Sequence, residues 1–469
     1  MLFSSKEYII LALVVIAFLR LVRNNRIRKL FLLAVSYYFY AYWDWRFLSL
    51  ILFSTFVDYF VGQRLKNCEN MARRRLFLIM SLVTNLGLLG CFKYFNFFIE
   101  SMNIALAPLR LNLGTLNIIL PIGISFYTFQ TLSYTIDVYR RQLEPCDDFW
   151  DFALFVSFFP QLVAGPIVRA KVFLPQLDTP RQLSWDRTFL GIRQFVIGLF
   201  KKVLVADCLA FYVDNVFANT GAYDCLTTWL VLVTYSLQIY CDFSGYSDMA
   251  IGMARIMGFD FPENFRLPYI AKSISDFWRR WHISLSSWLR DYLYISLGGN
   301  RGGRLKTYRN LLLTMLLGGL WHGESWTFVF WGGLHGVSLA IAKLVSRENK
   351  ESGPSGNAAR IVTGLSGWIV TMLIVCIGWV FFRSQTFTEA ILMLRQMFVP
   401  NQGIAWYNPF AICAIVAFAI THAISAMGMQ RLLELPVKAW RTPVVLCTMA
   451  LLTCVFRPAG FHPFIYFQF

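Results

Sequence analysis

Three of the five histidines in this 469-residue chain, His282, His322 and His335, fall between residues 277 and 336. A neutral imidazole accepts a proton near physiological pH, which suits it to general-base work on a hydroxyl. The same stretch carries six tryptophans, with WRRWHIS around His282 and GGLWHGES around His322. His322 is flanked by Gly318, Gly319 and Gly323 and stands two residues before Glu324, at the end of an apolar run over 311–320. Thirteen residues separate it from Arg309, roughly 20 Å of helix against a hydrocarbon core about 30 Å thick. His322 is therefore expected deep in a bilayer, where the glycines let the backbone break, near the turn of a short hairpin that returns over 326–342. An ionisable group at such depth points to function, and the chemistry it fits is proton abstraction in acyl transfer. His335, thirteen residues further on, would lie nearly on the opposite face of a continuous helix, in a packing or hydrogen-bonding role. The three histidines lack the compact spacing of metal ligands, so no metal is expected.

Around these residues stand other groups with chemistry of their own. Trp278, Trp281, Leu285, Trp288 and Tyr292 recur at helical spacing, with His282 on or beside the stripe. Such a Trp-rich amphipathic element lies at a membrane interface or dips into it. The loop LGGNRGGRLKTYRN, with Arg301, Arg304, Lys306 and Arg309, offers cationic side chains and open glycine backbone to a phosphate-bearing donor. Ordinary membrane topology accounts for the same charge, and the spacing is not a P-loop. Lys201 and Lys202 interrupt the apolar segment 189–217, either snorkelling to the interface or touching donor phosphates. Asp242 and Asp248 sit in apolar surroundings, either facing a polar functional interior or bonding neighbouring helices.

The elements that must position these groups are membrane helices. Apolar and aromatic residues make up 57% of the chain and charged residues 15%, with a mean hydropathy of +0.53. That excludes an ordinary soluble domain. Alternating strands of the kind that build transmembrane barrels are absent from the pattern. The net charge of +17 sits in loops between apolar runs, as cytoplasmic enrichment of Lys and Arg produces without a nucleic-acid partner. The fold expected is all-α and polytopic, with about eleven to thirteen membrane segments, some re-entrant or broken. A single membrane domain over 1–469 would divide into N-terminal helices (1–225), a catalytic core (226–345), a flexible cytoplasmic loop (346–360) and C-terminal helices (361–469). The N-terminal apolar run is followed, not preceded, by its basic cluster, which argues against a cleaved signal and places residue 1 outside. The ten cysteines show no metal or redox spacing, and most are expected to be small core residues.

The long motif NFRLPYIAKSISDFWRRWHISLSSWLRDYLYISLGGNR, followed by LLGGLWHGESWTFVFWGGLHG, resembles the membrane-bound O-acyltransferase superfamily. GLFKKVLVAD, FSGYSDMAIG and SYYFYAYWDWRFL resemble its bacterial polysaccharide O-acetyltransferase branch. The likeness runs over essentially the whole chain. It implies a tunnelled helical core entered by the acyl donor from the cytoplasm and by the acceptor from the other side. His322 matches the family's principal catalytic position and His282 a second one. Trp281, Trp288, Trp321, Asp242, Asp248 and Glu324 are the residues expected to line the tunnel. Acetyl-coenzyme A is implied as donor substrate, with no tightly bound cofactor. The resemblance also implies a periplasmic or membrane-anchored acetyltransferase partner and a location in the bacterial inner membrane. An alginate-type exopolysaccharide is the favoured acceptor, with peptidoglycan and cellulose as alternatives. A transporter or channel is the rival outside enzymes, since broken helices with midplane charges also describe that class. The closing FIYFQF resembles the ending of such relatives, either as a docking element for the partner or as an interfacial anchor.

Overall fold

A computed structural model of the chain describes all residues other than 2, 164, 180–182, 349–356, 438, 459–463 and 466–469. The loop expected over 346–360 and the terminal FIYFQF therefore lie largely outside the described residues. Glu348 ends one helix, Asn357 begins the next, and only Phe464 and Ile465 of the tail are described. Among the described residues the chain is helical, with one isolated bridge between Tyr223 and Ile404. It is a polytopic all-α membrane protein. Five helical stretches among the described residues are long and apolar enough to cross a bilayer: Trp45–Lys66, Met71–Leu109, Trp326–Val345, Val362–Arg383 and Pro409–Ala426. Some other apolar segments are shorter and surrounded by protein, as in Ile124–Tyr139, most of whose 16 residues are buried.

Two compact units divide the chain. The first comprises Met1–Phe195 and Tyr246–Pro262. Its helices Leu48–Lys66, Met71–Leu89 and Ile124–Tyr139 enclose Asp58, a fully buried carboxylate. That carboxylate accepts from the Ser81 hydroxyl, from Asn85 Nδ2 at 2.8 Å and from the Thr135 hydroxyl at 3.0 Å. Buried charge survives only when its lone pairs are satisfied in this way. The helix Ile124–Tyr139 opens directly after Gly123, which stands at φ +80°. The described residues of the run 152–168 are irregular and buried, split between Phe149–Ser157 and Phe159–Leu162.

The second unit comprises Val196–Gly245 and Glu263–Phe469 and contains both functional histidine candidates. Its centre is an antiparallel hairpin of the helices Arg304–His322 and Trp326–Glu348. The glycines around His322 do not break the backbone as expected: Gly318 and Gly319 are helical, and only Gly323 ends the helix. Their purpose is close packing. A Cβ on Gly319 would lie 2.3 Å from the Phe328 carbonyl oxygen, and one on Gly332 would lie 2.2 Å from the Met315 carbonyl oxygen. Lipid tails are as apolar as leucine, so membrane helices associate through such small-residue contacts.

Adjacent glycines give a clean test. Gly332→Ala drives a methyl into backbone that cannot move aside, and overpacking of this kind costs about 1–3 kcal/mol. Gly333 meets only the Leu316 side chain at 3.3 Å, and alanine there gains about 1 kcal/mol of helix propensity. In detergent, G332A is expected to melt below wild type and G333A at or above it. One expectation about the core fails: of the ten cysteines, none of which forms a disulfide, only Cys241 is buried and four are exposed. Cys413, Cys447 and Cys454 sit on outward faces of apolar helices, where lipid accepts a thiol as readily as the core does.

Candidate functional site

His322 is the last residue of the Arg304–His322 helix and is 3% exposed. Its ring is walled by aromatics from three elements: Trp321 at 5.0 Å, Trp331 at 5.0 Å from the return helix, and Phe382 at 5.5 Å from the Asn357–Arg383 helix. His282 is fully buried and stands where the short helices Ile274–Arg280 and Ile283–Trp288 meet. Phe243 packs edge-on against it at 4.5 Å and Trp321 lies 6.2 Å away. The two imidazole centroids are 6.5 Å apart. At that separation the ring nitrogens do not bond each other directly, while one small acyl or hydroxyl group can touch both.

His282 has φ +43°, a conformation that a side chain with a Cβ adopts only when its surroundings impose it. Asn264 imposes it. The Ile283 N–H donates to the Asn264 main-chain oxygen at 2.9 Å, and the Ser284 N–H and hydroxyl donate to Asn264 Oδ1 at 3.2 and 2.9 Å. A backbone donor on Oδ1 fixes which end of the amide faces His282. His282 Nδ1, 3.1 Å from the same oxygen, must then carry the proton, which leaves the lone pair on Nε2. That is the basic tautomer, held as in other sites where a second group orients a histidine. Asn264 was not singled out from the sequence. Its only signal was its place at the head of NFRLPY, eighteen residues before His282.

The other expected residues separate. Trp281 is 1% exposed and packs on Trp379 at 5.0 Å and Phe265 at 5.1 Å. Trp288 is buried against Tyr292 at 5.1 Å. Glu324, expected to line a tunnel, is instead exposed on the hairpin turn, because the helix ends at the buried His322. Asp248 belongs to the first unit, where Gln194 Nε2 donates to it at 3.2 Å. Asp242 is buried in the second unit and receives the Lys202 ammonium and, at 2.9 Å, the Ile465 N–H. Lys202 also donates to Asp207 at 2.7 Å. Its charge is thus matched inside the protein, while the Lys201 ammonium lies 5.8 Å from the Tyr240 ring. Ile465's neighbour Phe464 packs on Phe243 at 5.4 Å, one ring away from His282.

Arg301, Arg304 and Lys306 are exposed at the start of the Arg304–His322 helix, and none is ion-paired among the described residues. Gly302 and Gly303, at φ +87° and +95°, shape the turn that presents them. His335 receives the Trp278 indole N–H on Nδ1 at 3.3 Å, consistent with a hydrogen-bonding role. Trp331, beside His322, was seen only as part of the return limb. Its buried indole N–H has no hydrogen-bond partner among the described residues, an unusual state for a buried donor.

The membrane-bound O-acyltransferase family model matches residues 147–382, which hold both histidines, Asn264 and Trp331. The chain belongs to this family. It is 46% identical over 405 residues to a probable alginate O-acetylase of Pseudomonas aeruginosa, covering 85% of this chain and 75% of that one. A peptidoglycan O-acetyltransferase of Helicobacter pylori is 39% identical over 401 residues, covering 80% and 74%. A teichoic acid D-alanyltransferase of Bacillus subtilis is 30% identical over 289 residues, covering 58% and 70%. These relatives are acyltransferases, and the protein is a membrane acyltransferase; the transporter alternative is set aside.

Proposed function

We propose that this membrane-bound O-acyltransferase takes acetyl from cytoplasmic acetyl-coenzyme A and passes it across a bacterial inner membrane for O-acetylation of an extracytoplasmic polysaccharide. An alginate-type exopolysaccharide is the acceptor class favoured by the relatives named alginate O-acetylases. Peptidoglycan is the second reading, favoured by the Helicobacter pylori relative. A periplasmic or membrane-anchored acetyltransferase completes delivery to the polymer. The observation that carries the chemistry is the pair of buried imidazoles 6.5 Å apart in one aromatic chamber, with Asn264 holding His282 in its basic tautomer.

In this chamber an acceptor hydroxyl oxygen attacks the acetyl carbonyl carbon. His322 takes the hydroxyl proton, and the leaving thiolate recovers it. His282 borders the same group from the other side and orients it. The Trp331 N–H, whose ring lies 5.0 Å from His322, is assigned as a donor to the carbonyl oxygen as negative charge develops there. The aromatic walls exclude water that would hydrolyse the donor.

The donor's phosphates are assigned to Arg301, Arg304 and Lys306, where the first N–H groups of the following helix add positive potential. That helix has 19 residues, so loop and His322 lie roughly 28 Å apart along its axis. A donor touching both needs a long flexible arm, as coenzyme A has.

Full-length protein in vesicles, given labelled acetyl-coenzyme A on the loop side and polysaccharide fragments on the other, is expected to release coenzyme A and label the fragments. Release no faster than from buffer, with the partner present, would sink the proposal. Replacing Arg301, Arg304 and Lys306 together by Gln is expected to raise KM for acetyl-coenzyme A about tenfold, as lost charge-assisted bonds do, with kcat nearly unchanged. An unchanged KM would take the loop out of donor binding.

A further inference from the structure

The second unit holds a cavity that the acyl-transfer chemistry does not use. It has a volume of about 660 Å³, and the residues facing it include Lys272, Leu365, Trp368, Cys376, Phe418 and His422. Volume and apolar character match a ligand site rather than a packing defect. Two of its walls are the spans Val362–Arg383 and Pro409–Ala426, and Leu365 and Trp368 at its edge are themselves exposed on the outer surface, so the cavity opens toward hydrocarbon. From Gly364 to Cys376, both of which face it, is twelve residues, or about 18 Å of helix. That is close to half of a hydrocarbon core about 30 Å thick, the depth of one leaflet.

Two polar groups mark one end. Lys272 is exposed and has no ion-pair partner among the described residues, and its ammonium lies beside Gly364. His422 is 7% exposed. Its Nδ1 stands 3.1 Å from the Phe418 carbonyl oxygen, which makes Nδ1 the donor and leaves Nε2 an acceptor. Nε2 has no hydrogen-bond partner among the described residues. An unsatisfied buried acceptor costs stability unless a ligand donates to it. His422 lies only four residues, about 6 Å, inside Ala426, which also faces the cavity. Cation and acceptor therefore sit at headgroup depth and the apolar length extends inward.

The geometry points to a bound glycerophospholipid. One acyl chain fills the cavity, the phosphate rests on Lys272, and a hydroxyl of the headgroup donates to His422 Nε2. This site is independent of the histidine chamber, so failure of either assignment leaves the other standing.

The test uses the full chain reconstituted in nanodiscs of mixed phosphatidylglycerol and phosphatidylcholine, then extracted into detergent for native mass spectrometry. Wild type is expected to retain one phosphatidylglycerol, in preference to phosphatidylcholine, whose headgroup has no donor. Lys272→Gln and His422→Phe should each weaken retention roughly tenfold, the effect of losing one charge-assisted or buried hydrogen bond. Ala419→Trp, which puts bulk into the cavity, should abolish retention while the protein still elutes as a monodisperse peak. An A419W protein that misfolds is replaced in the test by Gly364→Leu at the mouth. Equal retention by wild type and the filled variants would overturn the site. So would displacement of the lipid by acetyl-coenzyme A together with a raised KM in K272Q, which would assign the cavity to the donor.

Discussion

His322→Ala is expected to lower acetyl transfer by about 10²–10⁴-fold, the range that a positioned general base contributes, while the protein still inserts and purifies as wild type does. His322 is walled by Trp321, Trp331 and Phe382, so alanine leaves a cavity as well as removing the base. His322→Gln keeps most of the volume and should lose nearly as much rate, with melting closer to wild type. The measurement is coenzyme A release and acetyl delivery by reconstituted protein with its partner, paired with thermal melting of each variant. A His322→Gln protein that transfers at the wild-type rate would remove His322 from catalysis. His282→Gln is expected to cost less than His322→Gln. Asn264→Leu should resemble it, since both disturb the same oriented ring. A pair of buried histidines that served packing alone would lower melting temperature and rate in proportion, and this split between rate and stability is what the catalytic assignment requires.

How far the sequence carried this site depends on the distance over which each relation acts. The place of His322 at the far end of the helix that carries Arg309 followed from the apolar run between them, a local relation. The hairpin was legible for the same reason. The glycines were read as a break because a local pattern cannot say whether a neighbouring helix approaches. Their recurrence at four-residue spacing, in Gly332 and Gly336 facing back toward Met315 and Leu312, is the small-residue signature of close packing. Glu324 was expected to line the tunnel, yet the helix ends between it and His322 and the residue is exposed. Asn264 acts on His282 across a turn between two helices, and Trp331 acts on His322 across the hairpin. Neither relation has a period in the sequence. Lys202 and Asp242 were each visible as a charge in apolar surroundings, but that they satisfy each other required two elements forty residues apart to meet.

The Lys202 ammonium gives the second large effect, on stability rather than rate. It bonds Asp242 and Asp207, and all three side chains are mostly buried. Gly245 lets its helix approach closely: a Cβ there would lie 2.7 Å from the Gly198 carbonyl oxygen and 2.9 Å from the Lys202 main-chain nitrogen. Removing one member of a buried ion pair strands the other charge and costs about 3–5 kcal/mol. Lys202→Met is therefore expected to lower the melting temperature sharply, since two carboxylates lose their counter-ion at once. Adding Asp207→Asn and Asp242→Asn to that variant should recover much of the loss, because no buried charge is then unmatched. The recovery should be incomplete, since Asp242 also accepts the Ile465 N–H at 2.9 Å and an amide oxygen is a weaker acceptor than a carboxylate. Loosening that bond frees the segment that carries Phe464 against Phe243, next to His282, so the triple variant should keep its fold better than its activity. A Lys202→Met protein that melts as wild type does but shows a raised KM for acetyl-coenzyme A would reverse this account and return Lys202 to the donor's phosphates.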